Sequence, residues 1–384
     1  MTVFRHARIY TGTGTVIDDG FVITDKGRIA AIGPVEELTL PENAHVIDLE
    51  GRIMTPGLID PHTHICTFQG RSTLPDVKDG NEYSSPITPF VRGLDAVNPD
   101  DVAVERTRQA GFTTVYTGPG SANVIGGTGC AIKLRGKTAD EMLIEGTSMM
   151  KMALGENPKR FFGLQQKLPV TRMGVAGLLR KTLFEAKVYS DALLRYEEEG
   201  GNKPEPDFEK EALLDVVRGN MRCRIHAHRA DDIVTAVRIA QEFGLDYVIE
   251  HATEGYKIKD FLAENDVKCV IGPTTLSAVK LELWDISLNN AKDLHEAGVT
   301  IALTEDTDFD TWKLLMNVGV LIREGLPRNV ALSAITLEAA KMLNLDHRIG
   351  SLEVGKDADM AVFDGDPFSN FTRCLMTVID GEIY

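Results

Sequence analysis

Apolar and polar positions change their rhythm twice along the chain. Up to residue 54 the pattern has the short period of strands. Segments 8–10, 20–24, 28–32, 46–48 and 52–54 are rich in Ile, Val and Phe, and Gly and Asp turns separate them. Lys26-Gly27 reads as a tight turn, and nothing helical is expected before Pro56. The C-terminal end behaves alike: 358–363 and 375–379 are apolar runs, and Asp380-Gly381 signals a hairpin before Ile383. Similar ends around a different middle predict one small composite β-sandwich domain from residues 1–54 plus 346–384.

Between the ends, strand-like and helix-like stretches alternate. Strands are expected at 57–60, 112–116, 130–134, 148–154, 221–225, 247–249, 267–271 and 299–303. Helices are expected at 99–110, 231–243, 287–297 and 329–343, and Gly111, Gly244 and Gly298 follow three of them as C-terminal stops. This α/β alternation predicts a (β/α)8 TIM-like barrel of parallel strands over residues 55–345. Two stretches interrupt it. Residues 66–98 show no periodicity, and 156–221 hold an amphipathic helix at 172–199 and a charged one at 207–217. In a barrel both would lie on the face where the loops after the strands gather, covering a site.

Composition narrows the partners. The chain has 384 residues, 43% hydrophobic and 26% charged, with a formal net charge of -16. That charge repels nucleic acid and anionic membranes, so neither is an expected partner and a small-molecule substrate is. No apolar run is long enough to span a bilayer, and no apolar h-region follows Arg5 and Arg8. Cys66, Cys130, Cys223, Cys269 and Cys374 contain no CxxC pair and read as reduced thiols, so the expected location is cytoplasmic.

The candidate chemistry falls at strand ends. Pro56-Gly-Leu-Ile-Asp60-Pro-His62-Thr-His64 closes the first barrel strand, and alternation points His62 and His64 to one side. His226 and His228 follow the fifth strand, His251 the sixth and Asp306 the eighth, with Lys151 in the fourth. A lone histidine is more often a satisfied polar residue than a ligand. Four separate strand ends carrying His or Asp, on the face where barrel enzymes place catalytic groups, make coincidence a poor explanation. Neutral imidazole is a common ligand for zinc and similar metals. Tyr116 and Arg172 are candidate substrate contacts. Arg172 would clamp a carboxylate, although a surface-helix arginine is the plainer reading.

These motifs together resemble the amidohydrolase superfamily, and within it the imidazolonepropionase-like and prolidase-like enzymes. The resemblance runs over nearly the whole chain. It includes Gly27-Arg28-Ile29, the Pro56 to His64 segment, Gly111-Phe-Thr-Thr-Val115 and Gly350-Ser-Leu-Glu-Val-Gly355-Lys-Asp-Ala-Asp359. It implies a metal centre of one or two divalent ions, with zinc expected, held by His62, His64, Lys151, His226, His251 and Asp306. Lys151 would be carboxylated to bridge two metals; Glu156 is the alternative fourth-strand carboxylate. His228 becomes a substrate or oxyanion contact, His251 an alternative oxyanion donor, and a homo-oligomer is implied. The expected reaction is hydrolysis of an amide-like C–N bond, in a cyclic amide, an N-acyl amino acid or a dipeptide. Metal-bound hydroxide attacks the carbonyl and Asp306 moves the proton. The runner-up is deamination of a cyclic amidine. A non-catalytic scaffold is disfavoured by the retained ligands. Thr307-Asp308 follow Asp306 where many relatives have a His-Pro pair, so a different substrate pocket is expected.

Overall fold

The computed structural model describes residues 1–68 and 79–384, so residues 69–78 of the aperiodic 66–98 stretch lie outside the described residues. The N-terminal strands are β1 (Thr2–Tyr10), β2 (Val16–Asp25), β3 (Arg28–Pro34), β4 (His45–Asp48) and β5 (Ile53–Pro56). The middle supplies β6 (Leu58–Thr63), β7 (Phe112–Thr117), β8 (Ile125–Lys133), β9 (Met149–Ala153), β10 (Cys223–Ala227), β11 (Tyr247–His251), β12 (Cys269–Ile271) and β13 (Ile301–Leu303). The C-terminal strands are β14 (Met360–Phe363), β15 (Cys374–Ile379) and β16 (Glu382–Ile383).

The two chain ends share one sheet. Its order is β16-β15-β14-β5-β1-β2-β3, with β4 on β1. The join is antiparallel pairing of β14 with β5, Met360 opposite Pro56 and Phe363 opposite Ile53. Phe4, Ile9, Val22, Met54, Met360 and Val378 pack in one buried cluster drawn from both ends. Burying that face against itself removes apolar surface from water, which neither end achieves alone.

The second sheet runs β6 to β13 in chain order and curls into a nearly closed barrel. Every residue of β6, β7, β9 and β10 is buried, as expected for strands covered on both faces. One expectation fails: β8 is antiparallel to both β7 and β9, whereas the remaining neighbours are parallel. The reason is the connection. Residues 118–124 join β7 to β8 with no helix, and a link that short cannot carry the chain back to start a parallel strand.

The helices follow the sequence closely where one face is apolar. Arg172–Glu199 forms one helix, and Ala230–Phe243 buries Ile233, Ala236, Val237 and Ala240 before Gly244 ends it at φ 64°. The single helix expected at 329–343 is two, Arg328–Ala334 and Leu337–Met342. Between them the Ile335 carbonyl leaves the helical ladder and accepts the amide of Ile59 on β6. The charged 207–217 stretch likewise divides into Phe208–Glu211 and Leu214–Val217.

A buried ion cluster ties the barrel to the terminal sheet. Lys133, the last residue of β8, places Nζ 2.9 Å from Asp357 and 3.2 Å from Asp359, and also contacts Asp380. Arg348 adds a 2.9 Å bond to Asp357, and Arg135 pairs with Asp380. Burial alone would push the Lys133 pKa down, but the three carboxylates outweigh it and raise it. Replacing Lys133 with Met leaves Asp359 without its cation in the interior and Asp357 with Arg348 and Arg28, which is expected to cost about 3–5 kcal/mol. Asp380→Asn, at a partly exposed position, should cost less. Denaturant midpoints measure both; an unchanged midpoint in the Lys133 variant would mean that other contacts hold the two sheets together.

Candidate metal centre

Strands β6, β9, β10 and β11 and the loop after β13 deliver polar groups to a common space. His62 is buried within β6, and its Nε2 lies 3.2 Å from Asp306 Oδ1 and 3.4 Å from Lys151 Nζ. His64 stands just past that strand. Its Nδ1 is 2.9 Å from the Gly118 carbonyl, which turns Nε2 towards Asp306 Oδ1 at 3.4 Å. His251 ends β11 with Nδ1 2.7 Å from the Gly272 carbonyl. Its ring lies 4.5 Å from the His226 ring and is stacked 4.5 Å from that of His228. His251 and Asp306 have positive φ, 71° and 50°. Ordinary residues avoid that region, and its cost persists only where surrounding contacts impose it, as at functional sites.

Among the described residues two groups of candidate ligand atoms result, with all members of each within 4.8 Å of one another: His226, His228 and His251, and His62, His251 and Asp306. His251 belongs to both. Burial holds the His251 imidazole down to about 4, and burial followed by repulsion from His251 takes His226 and His228 well below the ordinary histidine range. All three are therefore neutral near pH 7, with a lone pair free for a cation. Burial opposes ionisation of Asp306, but His251, His62 and His64 outweigh it and hold the carboxyl well below its usual range. Lys151 is fully buried and its pKa is lowered, first by burial. His226 Nδ1 is buried without a hydrogen-bond partner. Neutral imidazoles beside an ionised carboxylate form a donor set that fits a divalent metal such as zinc.

Sequence reasoning missed the groups that hold these candidate ligands in place. Glu250, beside His251 in β11, meets His62 Nδ1 with one oxygen and lies 2.6 Å from Arg224 Nη2 with the other. Burial would raise the Glu250 pKa, but Arg224 and His62 hold it low. Charged residues inside the apolar runs of β10 and β11 were the available signal. Asp60 is buried 2.6 Å from the Thr304 hydroxyl, and burial pushes its carboxyl up to about 8. The loop after β12 contributes Lys280, whose Nζ lies 3.1 Å from His228 Nε2, 3.0 Å from Asn157 Oδ1 and 2.7 Å from Glu282 Oε1. Nothing in that loop's pattern marked it.

Three expected contacts lie elsewhere. Glu156 begins the helix Glu156–Gly163 and belongs to neither ligand group; its backbone amide bonds Glu282 Oε2 at 2.9 Å. Arg172 spends its guanidinium on Asp232, at 2.9 Å, and approaches Glu282 at 3.9 Å, so it is already paired rather than offered to a substrate carboxylate. Tyr116 is buried in the barrel interior with its hydroxyl on the Met149 carbonyl at 3.2 Å, and its ring is covered by Arg224 at 4.2 Å. His228 does stand at the site, its Nδ1 2.7 Å from Thr253 Oγ1.

Known proteins share this plan. Residues 53–383 match the sequence model of the Amidohydrolase family. Amidohydrolase tasK from Hapsidospora irregularis is 30% identical over 99% of this chain, which spans only 43% of that longer protein. Imidazolonepropionase from Geobacillus sp. (strain WCH70) is 25% identical, with 91% of this chain and 84% of that protein aligned. The crystal structure of an amidohydrolase from Thermotoga maritima MSB8 superposes with a TM-score of 0.95 at 38% identity, covering 100% of this chain and 99% of that one. With the whole barrel inside the family match, the chain belongs to the amidohydrolase family and is a hydrolase acting on carbon–nitrogen bonds.

Proposed function

We propose that the chain hydrolyses an amide-like bond of a small molecule, such as a cyclic amide, an N-acyl amino acid or a dipeptide, at a two-metal centre. The observation that carries this reading is His251 shared between two ligand groups, with Asp306 at one side and Lys151 Nζ 3.4 Å from His62. A single-metal deaminase needs only one such group.

His62, His64 and Asp306 would hold one ion, and His226 and His251 the other, with Lys151 between them. Such ions, zinc by the preference of neutral imidazole, would activate a water and polarise the scissile carbonyl. Lys151 acts as a ligand once carboxylated: its neutral amine forms an N–C bond to carbon dioxide and loses a proton, leaving an anionic carbamate. Burial favours that neutral amine. Asp306 accepts the proton of the attacking water and returns it to the departing nitrogen. Its ionised state at neutral pH suits the first task. His228, with Lys280 Nζ 3.1 Å away, supplies donors where negative charge develops on the carbonyl oxygen. Five unpaired cysteines, four of them buried, support a reducing compartment such as the cytoplasm.

Asp306→Asn is expected to lower kcat by at least about 10²-fold with the fold retained. Turnover of N-acyl amino acids, dipeptides and cyclic amides, read beside circular dichroism, checks it; near wild-type turnover would remove Asp306 from proton transfer. Metal analysis of protein purified without chelator should find close to two ions per chain. Lys151→Ala should bring that towards one, and bicarbonate should not restore it. A content indifferent to Lys151 would reject the bridging lysine.

Acid provides a third check. The unfolded His251 titrates near its ordinary 6.5 and the folded one at about 4. Between those values the unfolded chain binds the extra proton. Stability of the metal-free protein is therefore complete above about pH 6.5 and falls as pH drops towards 4. At about pH 5 His251 alone accounts for roughly 2 kcal/mol, and His226 and His228 act in the same direction. Equal melting temperatures of chelator-treated protein at about pH 7 and pH 5 would contradict the neutral-imidazole assignment.

A further inference from the structure

The Nδ1 atoms of the site histidines have different partners. His64 and His251 use backbone carbonyls, Gly118 at 2.9 Å and Gly272 at 2.7 Å, and His228 uses the Thr253 hydroxyl at 2.7 Å. Of these four, His62 alone has its Nδ1 in direct contact with a carboxylate, that of Glu250; His251 Nδ1 lies 3.9 Å from Asp306 Oδ2, beyond hydrogen-bond reach. The carboxylate is itself held: Arg224 Nη2 lies 2.6 Å from Glu250 Oε1. The same Nη2 donates to the Pro61 carbonyl at 2.5 Å, so Arg224 grips both the backbone just before His62 and the group on the His62 ring. Arg224, Glu250 and His62 are at most 1% exposed.

We propose that Glu250 is a positioning residue, clamped by Arg224, that keeps the His62 proton on Nδ1 and its lone pair on Nε2, and thereby makes His62 a strong metal ligand. The inference rests on the reading of His62 as a ligand. An ionised carboxylate has no proton to give, so its close approach to Nδ1 favours the His62 tautomer that carries the proton on Nδ1. That leaves Nε2, which faces Asp306 Oδ1 at 3.2 Å and Lys151 Nζ at 3.4 Å, as the free donor atom. The placement follows from register. Glu250 pairs with His226 across β10 and β11, and Arg224 pairs with Lys151 across β9 and β10, so both charges sit at the level of the ligands. A buried Arg–Glu pair is no more stabilising than apolar residues of similar volume, so the pair's structural worth alone does not account for it.

Glu250→Gln keeps the shape and removes the charge. Zinc affinity, measured by competition with a chromophoric chelator, is expected to fall about 10–100-fold for one equivalent and to stay unchanged for the other. Nitrogen-15 NMR of labelled histidines in the metal-free protein, with His62 assigned through a His62→Asn variant, should show the proton on Nδ1 in the wild type and displaced from it in Glu250→Gln. Because the single change leaves Arg224 buried without its anion, the double variant Arg224→Met with Glu250→Gln is measured beside it. If the single variant does not fold, the double variant answers the same question. Zinc affinity within twofold of wild type and an unchanged Nδ1 proton would overturn the proposal and leave the metal reading standing. A wild type that binds no zinc would sink both.

Discussion

The Thr304 hydroxyl lies 2.6 Å from Asp60 Oδ1 and 2.6 Å from the His62 carbonyl, and it accepts the Asp306 amide at 3.0 Å. A hydroxyl has one proton and two lone pairs. The hydroxyl proton is shared between the Asp60 carboxyl and the His62 carbonyl, both as acceptors, while the Thr304 oxygen takes the Asp306 amide, and this hydrogen bond opposes the burial that pushes the Asp60 carboxyl up to about 8. This knot joins β13 to β6, the first and last strands of the barrel, where ladder pairing is absent from the sheet path. It also fixes the backbone of His62 and of Asp306. Closing the barrel and setting the distance between His62 and Asp306 are thus one event, and the left-handed backbone at Asp306 is held by it.

Burial then selects the protonation states. Water-free surroundings disfavour charge, so His226, His228 and His251 stay neutral and Lys151 is pushed towards its amine. Carboxylates survive as anions only where cations or hydrogen-bond donors face them: Glu250 against Arg224 and His62, Asp306 against the imidazole rings of His251, His62 and His64. The far side of the barrel uses the same rule for another end. Lys133 draws Asp357 and Asp359 into the interior and so ties the terminal sheet to β8.

Much of the fold was legible in the sequence because period and punctuation are local. The strand-rich ends, the eight middle strands and the helices at 172–199 and 231–243 follow from side-chain alternation and from glycines such as Gly244. The reversal of β8 and the break at Ile335 did not. Strand direction depends on what the connection can span, and Ile335 leaves its helix because a distant strand, β6, takes its carbonyl.

The sequence by itself determined which candidate ligands exist and at which strand ends they stand: His62 and His64, His226 and His228, His251, Lys151 and Asp306. Strand periodicity carries that information along the chain. Only the tertiary structure decided which of them converge, that Glu156, Arg172 and Tyr116 turn to other partners, and that Glu250, Arg224, Thr304 and Lys280 support the centre. Those assignments depend on contacts between residues far apart in sequence and on the charge balance of a dry interior. Both arise only when the barrel closes.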